Sequence, residues 1–83
     1  MADAADTSGH EPGDRIDVRI GVEITTFRRD AGLDLSTAAA GLAVSKAALE
    51  GFEAGALRIP PHVLLVMARL YGFTLEALFQ RLR

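Results

Sequence analysis

Residues 34–55, DLSTAAAGLAVSKAALEGFEAG, contain two helix starts and two helix stops in quick succession. Asp34 is an N-cap type of residue, since its carboxylate can accept an amide that the first turn leaves unbonded. Ala38, Ala39 and Leu42 follow it as the inward stripe of a short helix running through Gly41. Ser45 offers a second cap, and Leu49 and Phe52 mark the buried side of a helix from Lys46 to about Ala54, which Gly55 ends. Only Ala43 and Val44 remain for the turn between the two helices. The alanines Ala38, Ala39 and Ala40 permit close helix packing.

Working outward, Ile20, Ile24, Phe27 and Ala31 recur at three and four residues, which predicts a longer helix from Ile16 to a stop at Gly32. Downstream, Ala56–Ile59 reads as loop. Pro60 and Pro61 suit a helix start, and Leu64, Met67, Ala68 and Tyr71 form an amphipathic stripe ending at Gly72. Thr74 caps a last helix carrying Leu75, Leu78, Phe79 and Leu82. The residues therefore predict an all-α domain of five helices over residues 15–83. Residues 1–14, MADAADTSGHEPGD, lack any apolar period and are expected to form a disordered acidic tail.

The chain has 83 residues, 49% of them apolar and 24% charged, enough for one small domain and too few for a deep catalytic cleft. It has no cysteine, and its two histidines, His10 and His62, are far apart in sequence. Thiolate and zinc chemistry are therefore not expected. Ser8, Ser36 and Ser45 have no His and Asp in a triad-like pattern, and no glycine-rich loop follows a strand, so an enzyme is not expected. The longest apolar run, Val63–Ala68, is too short to span a bilayer, and a cytoplasmic, nucleoid-associated location is expected.

The net charge of −2 conceals an asymmetry: residues 1–14 hold Asp3, Asp6, Glu11 and Asp14 with no base, whereas residues 15–83 hold nine bases against seven acids. The domain is mildly basic behind its acidic tail, which leaves nucleic acid open as a partner. Arg15 and Arg19, interleaved with Asp14 and Asp17, read as a solvated face or, alternatively, as an arm that touches phosphate. His62 reads as a solvated first-turn residue.

Two short helices joined by a tight turn are the layout of a helix-turn-helix. Several spacings coincide over residues 16–79. Arg28 lies four residues before Gly32-Leu33, Leu42-Ala43-Val44-Ser45 spans the turn, and Phe52-Glu53-Ala54-Gly55 closes the third helix. Arg58-Ile59 precedes the prolines, and Leu64, Met67, Ala68, Tyr71 and Phe73 follow. In these features the chain resembles the Cro and phage-repressor, or XRE, family, and most of all its short alphaproteobacterial members. The resemblance implies a compact lambda-repressor-like domain whose third helix lies in the major groove. By position, Leu35, Ser45, Lys46, Ala47, Glu50, Gly51 and Arg58 would face DNA, and Arg28 and Glu53 would pair to tie the first helix to the third.

The chain departs from the family pattern on the reading surface. Leu35 stands where the family often has a phosphate-clamping Gln, Ala43 where it usually has Gly, and Ala54, Ala56 and Leu57 where its loop is commonly basic. Ala47 and Gly51 offer base edges little beyond a methyl group or backbone, and Lys46 alone is a favourable groove contact. The fourth helix is apolar on almost every side, so Leu65, Val66 and Leu70, with Phe79 and Leu82, are expected to form an association patch. Two functions follow. One is a dimeric, sequence-specific transcriptional regulator of double-stranded DNA. The other is a degenerate helix-turn-helix used for protein contact, as a homodimer or as partner subunit of another regulator. Neither requires a cofactor or small-molecule ligand.

Overall fold

In the computed structural model, which describes residues 10–83, five helices follow one another: α1 Arg15–Asp30, α2 Leu35–Leu42, α3 Lys46–Ala54, α4 Pro61–Tyr71 and α5 Leu75–Arg81. Oxygen-bearing side chains fix most of the starts. Asp34 accepts the Thr37 amide at 2.7 Å, Ser45 the Ala48 amide at 3.0 Å and Thr74 the Ala77 amide at 3.0 Å. Each satisfies a donor that a first turn leaves without a partner. Pro61, which has no amide hydrogen to satisfy, opens α4. Gly55 and Gly72 end α3 and α4 at φ 75° and 78°. At the end of α2 a non-glycine takes the same role: Ala43 is left-handed at φ 57°, a conformation that costs an L-residue about 1 kcal/mol.

The first helix begins earlier than its apolar period suggests. Asp14 accepts the amides of Ile16 at 3.1 Å and Asp17 at 3.4 Å, and the Asp17 carboxylate accepts the Asp14 amide at 2.9 Å. This reciprocal capping box sets the start at Arg15, and Ile16, on which the periodicity opens, is exposed. The segment before it also differs from the expected tail. Residues 1–9 of that tail lie outside the described residues, but residues 10–14 are docked: the Gly13 amide donates to the Ala56 carbonyl at 2.9 Å and the Arg58 amide to the Glu11 carbonyl at 2.8 Å.

The largest fully buried side chains are Phe52, Ile24, Leu49, Met67 and Leu78, drawn from four of the helices. The fifth, α2, contributes Ala38, Ala39 and Leu42 to the same core. Where α1 crosses α3, Gly21 removes the obstacle: a Cβ there would stand 2.8 Å from the Phe52 carbonyl oxygen. Beside this crossing, Arg28 Nε meets Glu53 Oε2 at 2.6 Å and Nη2 meets Oε1 at 3.1 Å, while Nη1 donates to the Leu33 carbonyl at 2.7 Å. The two side chains are only 8% and 11% exposed. The hydrogen bonds to Glu53 raise the Arg28 pKa further above its ordinary value, so the guanidinium stays charged.

The C-terminal helix is tied back to α1. Phe27 stacks on Phe73 with ring centroids 4.3 Å apart, and the Arg81 guanidinium lies 4.4 Å over Phe27 and 3.4 Å from Glu23. Arg19 also donates to the Leu82 carbonyl. Among the described residues no single helix is long and apolar enough to cross a membrane.

Candidate nucleic-acid interface

The turn between α2 and α3 is closed by backbone bonds from Ala43 to the Ala40 carbonyl and from Val44 to the Ala39 carbonyl, at 3.2 and 3.1 Å. With Ala43 left-handed, the chain reverses within a few residues and Ser45 starts α3 directly. Ala48, Leu49 and Phe52 lock one face of α3 into the core, which leaves Lys46 and Glu50 exposed and Ala47 half-buried on the other. The orientation of α3 is thus set by its inner residues.

The remaining residues assigned to DNA by position are placed differently. Leu35 is half-buried and packs against the core. Gly51 is covered: the Ala56 and Leu57 amides both bond its carbonyl, at 2.9 and 3.2 Å, and a Cβ would stand 2.6 Å from Leu57 Cδ1. The absent side chain at position 51 lets the loop fold back over α3, which accounts for a glycine inside a helix. Ser45 is half-buried, with its oxygen engaged by the Ala48 amide.

Of the two cations of this region, Arg58 is the one that pairs with carboxylates among the described residues. Arg58 is half-exposed and meets Glu11 at 3.1 Å, Asp14 at 3.4 Å and Asp17 at 3.5 Å. Lys46 lies near Asp34. The Asp34 carboxyl is held below its ordinary pKa mainly by hydrogen bonds from Thr37, with smaller help from the charges of Arg28 and Lys46. His62 is the exposed first-turn residue of α4 that its place after Pro61 predicts, whereas sequence reasoning missed the placement of His10. His10 and His62 line one concavity together with Ala43, Val44, Ser45 and Ala48, and the His10 ring meets Phe52 edge-on at 5.3 Å. No local spacing could have brought His10 beside the turn. Among the described residues no cluster of three or more His, Asp or Glu side chains could hold a metal ion.

Away from this face, Leu65, Val66, Leu70 and Phe79 of α4 and α5 are exposed, at 53%, 40%, 37% and 55%. Leu82 does not join them: it is half-buried against the core, at the end that Arg19 ties down. Ile16, Val18 and Val22 of α1 are exposed apolar residues as well.

The profile of a family described as a helix-turn-helix domain matches residues 19–82. No curated protein matches the chain. Among solved structures, the clp gene regulator ClgR from C. glutamicum superimposes with a TM-score of 0.77, covering 86% of this chain and 91% of that one. At 21% identity, that likeness establishes the fold alone.

Proposed function

Because this chain belongs to the helix-turn-helix domain family, matched over residues 19–82, we propose that it is a DNA-binding transcription regulator of the Cro and phage-repressor type that acts on cytoplasmic, nucleoid DNA. In this reading α3 enters the major groove. The observation that carries it is the tight Ala43–Val44 turn, which delivers a nine-residue helix whose inner face is fixed and whose outer face carries Lys46 and Glu50, both exposed, and the half-buried Ala47. Lys46 supplies the direct contact, Ser45 and the start of α3 approach the backbone, and Arg58 adds a phosphate contact from the loop. Sequence discrimination by so few polar groups is modest, since each well-matched pair contributes about 1–3 kcal/mol. Two copies associating through Leu65, Val66, Leu70 and Phe79 would present two such helices to half-sites about one helical turn apart.

The test is retardation of host genomic fragments by the full chain at about 50 mM salt, followed by titration against salt. A log–log slope reflecting several phosphates, and a drop in both affinity and slope on Lys46→Ala, is the expected result. A second reading, a helix-turn-helix used for protein contact, is favoured by the exposed patch on α4 and α5 together with the Leu57 cover over Gly51. It would replace the first if no fragment is retarded and co-purification from the host recovers a partner protein. Sedimentation at micromolar concentration tests self-association, and a clean monomer removes the homodimer.

A further inference from the structure

We infer that the segment Glu11–Asp14 is an internal competitor for the DNA backbone, a strap that occupies Arg58 and must leave when the chain engages DNA. The inference rests on the DNA-binding reading above and adds to it a built-in restraint. Arg58 is the one base of the loop that follows α3, and the loop is pinned to α3 by the Ala56 and Leu57 amides on the Gly51 carbonyl. The loop that carries its guanidinium is therefore held against α3. Three carboxylates meet the guanidinium, from Glu11, Asp14 and Asp17, and supply the anionic acceptors that a phosphate would bring.

Only part of this acidic group is needed for folding. Asp14 and Asp17 form the capping box of α1, and each would keep that role without Arg58. Glu11 has no such duty: its carboxylate is 71% exposed and its side-chain partner is Arg58. The strap is nevertheless held in register by the paired amides of Gly13 and Arg58 and by the bridge between Pro12 and Leu57. Gly13 lies so close to the Gly55 carbonyl that any Cβ at position 13 would collide with it, so the sequence accommodates the docked strap at that point. Exposed ion pairs contribute little to stability and are readily exchanged, which suits a contact made to be displaced. The residues before His10 add Asp3 and Asp6 and no base, continuing the sign of the strap.

Two substitutions in the full chain separate charge from docking. Glu11→Gln removes the one carboxylate without a capping role, and Gly13→Ala evicts the strap while leaving every charge in place. On one labelled duplex, both variants are expected to bind about fivefold tighter than wild type at about 50 mM salt, with a log–log slope close to that of wild type, because the strap leaves in wild type too and Arg58 then neutralises the same phosphate. Arg58→Gln should abolish the gain in either background. In wild type, the Gly13 and Arg58 amides should lose hydrogen-exchange protection when DNA is added. Binding by a variant where wild type shows none supports the strap. Equal affinity in all chains, weaker binding by both variants, or retained protection on DNA overturns it and leaves DNA binding standing. If no chain, variant or wild type, binds any DNA, the strap fails along with the reading on which it rests.

Discussion

Arg28 and Arg58 both meet carboxylates, but in opposite settings. Arg28 is enclosed, grips Glu53 through two nitrogens and spends a third on a carbonyl. Arg58 is half-exposed and meets three acids at 3.1–3.5 Å. The first is a joint between α1 and α3 that has no alternative partner once water is excluded. The second is a set of longer contacts, two of them to exposed acids, where water and salt screen the pair, and one to Asp17, whose side chain is 8% exposed. Burial decides which of them the fold depends on and which is free to be exchanged for an outside anion.

The sharpest way to break this contrast is to remove one member of the buried pair. Glu53→Ala leaves the Arg28 guanidinium enclosed and uncompensated, and is expected to cost about 3–5 kcal/mol. In a domain of this size that lowers Tm by well over 10 °C, at roughly 4–8 °C per kcal/mol. A melting temperature within a degree of wild type would show that the joint carries no load.

Acid should act next, and from the exposed side. The Asp14 carboxyl is held below its ordinary value, chiefly by the Asp17 amide, and Asp34 likewise by Thr37. A carboxylate whose folded pKa is depressed contributes stability above its unfolded value, about 3.9, and loses it as pH falls through the folded value. Thermal melts should therefore be insensitive to these two groups above about pH 5 and fall steadily below about pH 4. Asp14→Asn and Asp34→Asn should each flatten that decline, and an unchanged acid limb in both variants would place its cause elsewhere.

The contrast also marks what could be read along the chain. Helix ends were legible because caps and stops are local: Asp34, Ser45 and Thr74 each meet an amide three residues ahead, and Gly55 and Gly72 follow directly after the helices they end. The pairing partners of Arg28 and Glu53 came from resemblance to a family, since nothing in periodicity connects two residues so far apart. Three features stayed hidden because each depends on a long-range approach: the Leu57 side chain over Gly51, the burial of Leu35, and the docking of Glu11–Asp14 on the loop. One local signal did exist. Asp14-x-x-Asp17 is a capping-box spacing, and reading it would have moved the start of α1 ahead of Ile16.

On the exposed side, Arg58→Ala should change stability by less than about 1 kcal/mol, because its pairs with Glu11 and Asp14 are screened and the Asp17 carboxylate keeps the Asp14 amide as a partner. Chemical denaturation of Arg58→Ala beside Glu53→Ala measures the difference directly. A loss comparable to that of Glu53→Ala would make the strap a structural element and remove the reason for regarding it as displaceable.

The smallest effect belongs to Tyr71, which lies on the buried side. Among the described residues its hydroxyl is buried without a hydrogen-bond partner. Its pKa is pushed up to about 12, first by burial and then by the nearby charge of Glu53, with Arg28 acting in the opposite direction. A buried, unpaired hydroxyl is a cost that Phe does not carry, whereas the ring itself packs with Phe73 at 6.3 Å. Tyr71→Phe should therefore leave stability unchanged or raise it by up to about 1 kcal/mol. Glu53→Ala sharpens the view of the pair: in it the Tyr71 phenol loses one of its two raising influences and should ionise at lower pH, which ultraviolet titration reads. A loss of more than about 1 kcal/mol in Tyr71→Phe would mean that the hydroxyl is held after all, and that the buried joint includes a third residue.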